Sequence, residues 1–201
     1  FDPILSRDQT VSCATCHRPT SAFSDNSMFS VGIAGQLSER NSMPIQNLAW
    51  QNSFFWDGGV TSLELQVIAP ITNHKEMDLT LEELVVRLGN SQEYIDLFKK
   101  AYDRAPDDFS ITRAIACYER TLVSGNSKYD QFVNGDSAVL NDSEKRGMDL
   151  FFSEETHCSS CHTGFLFTNG SFQNNGLYLE YPDKGRMNIT NSPFDDGSFR
   201  V

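Results

Sequence analysis

Apolar residues recur with helical period in four stretches of the chain. Leu84, Val85 and Leu88 follow Thr80-Leu81-Glu82-Glu83, a capping box in which the Thr and Glu side chains each accept from the other's backbone N–H. Gly89-Asn90 ends that pattern. Ser91 opens a second helix with apolar contacts from Tyr94, Ile95, Leu97, Phe98 and Tyr102, stopped before Pro106. Ser110 is the predicted N-cap of a third, which puts Ile111, Ala114, Ile115, Tyr118 and Leu122 on one face. Asn141-Asp142-Ser143-Glu144 caps a fourth that carries Met148, Leu150, Phe151 and Phe152. No segment shows well-spaced alternating strands, so the expected class is all-α. Residues 18–74 read as long irregular loops with short helices, and long ordered loops are usually functional. The stretch Gly125 to Asn141 is polar and turn-rich, which places a domain boundary near residue 134.

Composition narrows the class. A hydrophobic share of 39% over 201 residues is low for a self-sufficient core, and a large apolar cofactor would add the surface such a chain lacks. No apolar run approaches the roughly 18 residues of a membrane span. The chain opens at Phe1 without an initiator Met, so a signal segment is expected to have been removed or left out. A net charge of −11 argues against nucleic acid and suits a cationic partner found by electrostatic steering.

The cysteines carry the chemistry. Four of the five fall into two C-x-x-C-H strings, Cys13-Ala14-Thr15-Cys16-His17 and Cys158-Ser159-Ser160-Cys161-His162. Two thiols at that spacing can form thioethers to the vinyl groups of one haem, and the adjacent His then lies beneath the porphyrin as its axial ligand. Two C-x-x-C pairs could instead make a four-thiolate zinc site. However, the pairs lie near opposite ends of the chain, and zinc gives no reason for a His at the same offset in both. The reading is therefore two covalently bound c-type haems, with Cys13, Cys16, Cys158 and Cys161 as attachment sites and His17 and His162 as iron ligands. Attachment of this kind occurs in oxidising compartments, which points to the periplasm. Cys117, in the third helical stretch, reads as a small buried thiol in inert packing. His74 and His157 read as surface or hydrogen-bonded residues.

Further segments resemble the bacterial dihaem cytochrome c peroxidases: Asp2-Pro3-Ile4-Leu5-Ser6, Thr10 to His17, Arg40-Asn41-Ser42, Phe55-Trp56-Asp57-Gly58, Leu63-Glu64-Leu65-Gln66, Pro70-Ile71 and Glu76-Met77. Arg120-Thr121-Leu122, Cys158 to Gly164 and Asp183-Lys184-Gly185-Arg186 extend the resemblance along the whole chain. It also covers the related dihaem enzyme that matures methylamine dehydrogenase.

The resemblance implies two cytochrome c-like haem domains with long loops: a peroxidatic domain over 1–134 and an electron-transfer domain over 135–201, the second incomplete at its C-terminal end. It implies that the haem on His17 meets hydrogen peroxide and the haem on His162 receives electrons from a small redox protein of cytochrome c or cupredoxin type. Glu76 matches the distal carboxylate that moves a proton between peroxide oxygens. Gln66 and Phe55 match its pocket neighbours, Trp56 the electron relay, and Asn41 a side-chain ligand of calcium. Taken without the resemblance, Glu76 is a solvated loop acid, Trp56 a core residue, Asn41 a turn residue and Gln66 a surface one. The resemblance admits a homodimer. One departure is at Ile33, where many members carry a His that caps the peroxidatic iron; isoleucine has no lone pair to donate. His74 and Met43 lie in loops of the same domain that could bring a substitute. In the tail, Met187 is the one thioether. The expected reaction is reduction of hydrogen peroxide to water. The alternatives are oxidation of a protein or aromatic substrate through a high-valent iron state, and plain electron transfer by a dihaem cytochrome.

Overall fold

The structure, a computed structural model, describes residues 1–201. Five of its helices begin where a side chain satisfies one of the first unpaired backbone N–H groups. The first unit, Phe1–Trp50 with Val60–Leu122, holds α1 (Cys13–Cys16), α2 (Leu63–Gln66), α3 (Ile68–Thr72), α4 (Leu81–Gly89), α5 (Gln92–Tyr102) and α6 (Asp108–Arg120). The capping box predicted for α4 is present, with Glu83 N–H donating to Thr80 Oγ1 at 3.2 Å. Val67, Ile71, Met77, Leu79, Leu84, Leu88, Phe98 and Ile111 form the core together with Val11, two residues before the first Cys. That core therefore reaches the first C-x-x-C-H turn. Arg87 of α4 also donates to the Ser6 carbonyl at 2.6 Å and the Arg7 carbonyl at 2.7 Å, which ties down the segment leading into that turn.

The second unit, Val123–Val201 with Gln51–Gly59, holds α7 (Lys128–Val133), α8 (Asp142–Phe152), β1 (Phe172–Gln173), α9 (Met187–Thr190) and β2 (Phe199–Arg200). The division falls at Leu122–Val123, whereas the turn-rich composition had pointed to residue 134. The stretch 125–141 contains α7, because Ser127 and Asp130 cap a turn that the polar composition conceals. The chain is helix-rich, as expected of an all-α class, with one small departure. β1 and β2 pair antiparallel, Phe172 opposite Arg200.

Two details of α6 differ from the periodic reading. Asp107, not Ser110, is the N-cap, accepting from Ser110 N–H at 2.8 Å, so the helix starts earlier and Ser110 is fully buried. The buried face runs through Ile111, Thr112, Ala116 and Glu119, which leaves Tyr118 and Cys117 exposed. Cys117 is thus not core packing: it stands about 100° from Ala116 around the helix. Leu97 and Leu150, also counted as contacts, face outward at 50% exposure each.

Candidate functional site

The two C-x-x-C-H strings fold alike. In the first, Ser12 N–H donates to Thr15 Oγ1 at 3.1 Å and His17 N–H to Cys13 O at 2.8 Å, so Cys13 and Cys16 sit on one short turn with His17 at its end. In the second, Cys158–Ser160 form a 3₁₀ turn and His162 N–H donates to Cys158 O at 2.9 Å. His17 Nδ1 lies 2.9 Å from Phe23 O, and His162 Nδ1 lies 3.1 Å from Phe167 O. A carbonyl can only accept, so a proton on Nδ1 satisfies each contact, and that is the tautomer in which an imidazole offers Nε2 to a metal. Both acceptor residues are phenylalanines in the left-handed region, φ 56° for Phe23 and 53° for Phe167. Each costs roughly 1–2 kcal/mol, and such strain persists where a loop must present a group.

Burial pushes the His17 pKa down, against the Phe23 and Met43 carbonyls, and so favours the neutral ring a ligand needs. Burial also raises the Cys13 and Cys16 pKa values, which keeps the first pair as thiols. All four motif cysteines are free, and no group of three or more His, Cys, Asp or Glu side chains converges on a metal position. The four-thiolate zinc reading therefore has no donor set. Beside the second motif, Phe151 packs 6.4 Å from His162, within a cluster of Tyr129, Phe152 and Phe167. Cysteine pairs on one turn, a His held through Nδ1 at its end and, at the second motif, an aromatic wall fit a covalently held haem.

Glu76 lies in the first unit, on the loop after α3. Burial raises its pKa, and Asn73 Nδ2, donating to Oε1 at 2.8 Å, opposes this. The backbone is pinned on both sides, with Glu76 N–H to Asn73 O at 2.9 Å and Ile33 N–H to Glu76 O at 2.8 Å. The Glu76 charge also raises the Cys16 pKa, a smaller effect than burial, Asp25 and the Ser30 and Ser42 hydroxyls. The Ile33 loop fits against Glu76 because Gly32 has no side chain: a Cβ there would stand 2.0 Å from Lys75 O and 2.7 Å from Glu76 Cα. Gln66, at the end of α2, has a buried Oε1 with no hydrogen-bond partner, an orphaned acceptor suited to a polar ligand. Asn41 Nδ2 contacts Asp25 Oδ1 at 2.8 Å and Ser27 O at 2.6 Å. Phe55 and Trp56 belong to the segment that packs with the second unit, Phe55 at φ 66°.

Sequence reasoning missed Phe23, Phe167, Asn73 and Glu119. A Phe follows each motif His after a short spacer, which was a readable signal. Glu119 falls on the same helical face as Thr112 and Ala116, and its burial raises the carboxyl pKa to about 7.

The sequence model of the di-haem cytochrome c peroxidase family matches residues 1–138. The chain belongs to that family. This dihaem cytochrome c peroxidase family member is 39% identical over 179 residues to the methylamine utilization protein MauG of Methylorubrum extorquens, covering 88% of the chain and 50% of that protein. It is 36% identical over 211 residues to the cytochrome c551 peroxidase of Pseudomonas aeruginosa, covering 100% of the chain and 60% of that protein. The chain thus spans half to three-fifths of the length of these relatives. Its fold matches the crystal structure of a MauG-like protein associated with microbial copper homeostasis, with TM-score 0.90 and 30% identity, over 100% of the chain and 65% of that structure.

Proposed function

We propose that the chain is the two-haem part of a periplasmic c-type peroxidase that reduces hydrogen peroxide to water. The observation that carries the reading is the repeated motif geometry, together with a half-buried carboxyl, Glu76, whose charge is felt by Cys16 of the first copy. Cys13 and Cys16 would hold one haem and Cys158 and Cys161 the other, as thioethers, with His17 and His162 on iron through Nε2. The haems supply peroxide binding and electron exchange.

The protein's own part is to hold atoms and protons. Each turnover takes one H2O2, two electrons and two protons and yields two waters. Glu76 would take a proton from one peroxide oxygen and return it to the other, work a positioned carboxyl can do. The Asn73 bond at 2.8 Å occupies Oε1 and leaves Oε2 for the proton. Gln66 Oε1 would orient the peroxide by accepting from it. Electrons would come from a small cationic redox protein, cytochrome c or cupredoxin, drawn by the chain's charge of −11, and pass by way of Trp56. Asn41 would serve a calcium ion, since the groups around it are the hard oxygens of Asp25 and Ser27. Identity to MauG supports a second reading, oxidation of a protein or aromatic substrate at the same haem.

The test is Glu76→Gln in the holoprotein. Both haems should be retained, and peroxide turnover should fall roughly 10²-fold or more. Full turnover in the variant removes Glu76 from the mechanism.

A further inference from the structure

The segment carrying Trp56 is held by three bonds from the tail of the chain, all within the second unit. Arg200 N–H donates to Trp56 O at 2.7 Å, the Arg200 guanidinium donates to Ser53 O, and Arg186 Nη1 donates to Asp57 O at 2.9 Å. Arg186 also stacks over the Phe172 ring at 3.9 Å, and Phe172 pairs with Arg200 across β1 and β2. Gly58, at φ 70°, lets this segment close down on Phe172, since a Cβ would stand 2.2 Å from its ring. No acid pairs with Arg200, and burial alone shifts its pKa, downward. Half-buried, Arg200 directs its guanidinium and its N–H to backbone carbonyls of the Trp56 segment.

The other edge of the same strand reaches the second haem motif. Thr168 Oγ1 donates to Val201 O at 2.5 Å and accepts from Gly170 N–H at 2.9 Å. The residues flanking Thr168 are bonded directly to the motif: Phe167 O accepts from His162 Nδ1, and Asn169 N–H donates to Cys161 O at 2.9 Å. The strand therefore has Trp56 on one side and the loop that orients His162 on the other.

We propose that Arg200 and Thr168 are positioning residues that tie the Trp56 backbone to the His162 loop and fix the distance an electron crosses between the second haem and Trp56. The inference rests on the reading of Trp56 as a relay. In the step concerned, one electron would pass from a haem held by His162 to a haem held by His17, leaving Trp56 unchanged at the end. A backbone bond from Val201 N–H to Ser171 O at 3.0 Å supports the same link, since Ser171 N–H donates to Asn169 Oδ1 at 2.9 Å.

The experiment uses the holoprotein and follows inter-haem electron transfer after rapid reduction of the His162 haem. It also measures both haem midpoint potentials and hydrogen–deuterium exchange over 199–201. Thr168→Val removes the hydroxyl that bridges to Val201, and Arg200→Ala removes the grip on Ser53. Both should slow transfer roughly tenfold, against the ~10²-fold that a displacement of about 1 Å can cost a positioned group. Exchange over 199–201 should rise, and both potentials should stay in place. Thr168→Ser, which keeps the hydroxyl, should restore the wild-type rate. If Arg200→Ala does not fold, Thr168→Val carries the test alone. Wild-type transfer in Thr168→Val while Trp56→Phe is slow overturns the positioning role and leaves the relay standing. Wild-type transfer in Trp56→Phe overturns the relay itself.

Discussion

Glu119 is a buried carboxyl of the first unit, and Glu76 a half-buried one to which Asn73 donates. Glu119 is 8% exposed, its Oε2 has no partner, and burial with the nearby Glu64 charge lifts its pKa to about 7 against the pull of Arg120. The folded pKa lies above the ordinary 4.5, so between those values the native state binds more protons than the unfolded chain. The stability this confers is complete below pH 4.5 and is lost as pH rises through about 7, a change of about 3 kcal/mol. Glu119→Gln should abolish that slope. Denaturant titrations at pH 5 and pH 8 should show wild type losing stability relative to the variant. Parallel slopes would place the charge of Glu119 elsewhere.

Loops, more than helices, set the geometry of the first motif. The Ile33 turn sits on the Lys75–Glu76 backbone because position 32 is glycine; its φ of −99° is ordinary, so the demand is for space. Gly32→Ala must push that turn off Glu76 by moving backbone, which costs about 1–3 kcal/mol as overpacking does. Thermal unfolding should show that loss, and peroxide turnover should fall with it as the carboxyl shifts. An unchanged melting temperature would mean the turn adjusts freely. The helices were the legible part of the sequence, since α4 and α8 announce themselves through capping boxes and apolar period. The less legible features depended on partners far along the chain or on backbone shape. α7 hid in polar residues, the α6 face was rotated by a cap at Asp107, and the left-handed Phe23 and Phe167 leave no periodic trace.

At the scale of the molecule, the candidate site was legible chiefly through its repeated cysteine motif. The wider resemblance pointed to Glu76, Gln66, Trp56 and Asn41, but only the fold groups Trp56 with the second unit and pins Glu76 by the Ile33 turn. Ile33 is fully buried, with its N–H bonded to Glu76 O, so that turn offers iron no ligating side chain. A haem on His17 should then hold water or nothing opposite the histidine and accept peroxide directly. His74 and Met43 are the side chains that could replace the missing cap, and His74→Ala and Met43→Ala distinguish them. The most direct measurement is the electron paramagnetic resonance spectrum of the fully oxidised holoprotein, taken with a peroxide turnover assay before any reduction. The account predicts a high-spin ferric signal and immediate turnover. Low-spin iron alone, with no turnover until one electron has been added, would contradict it.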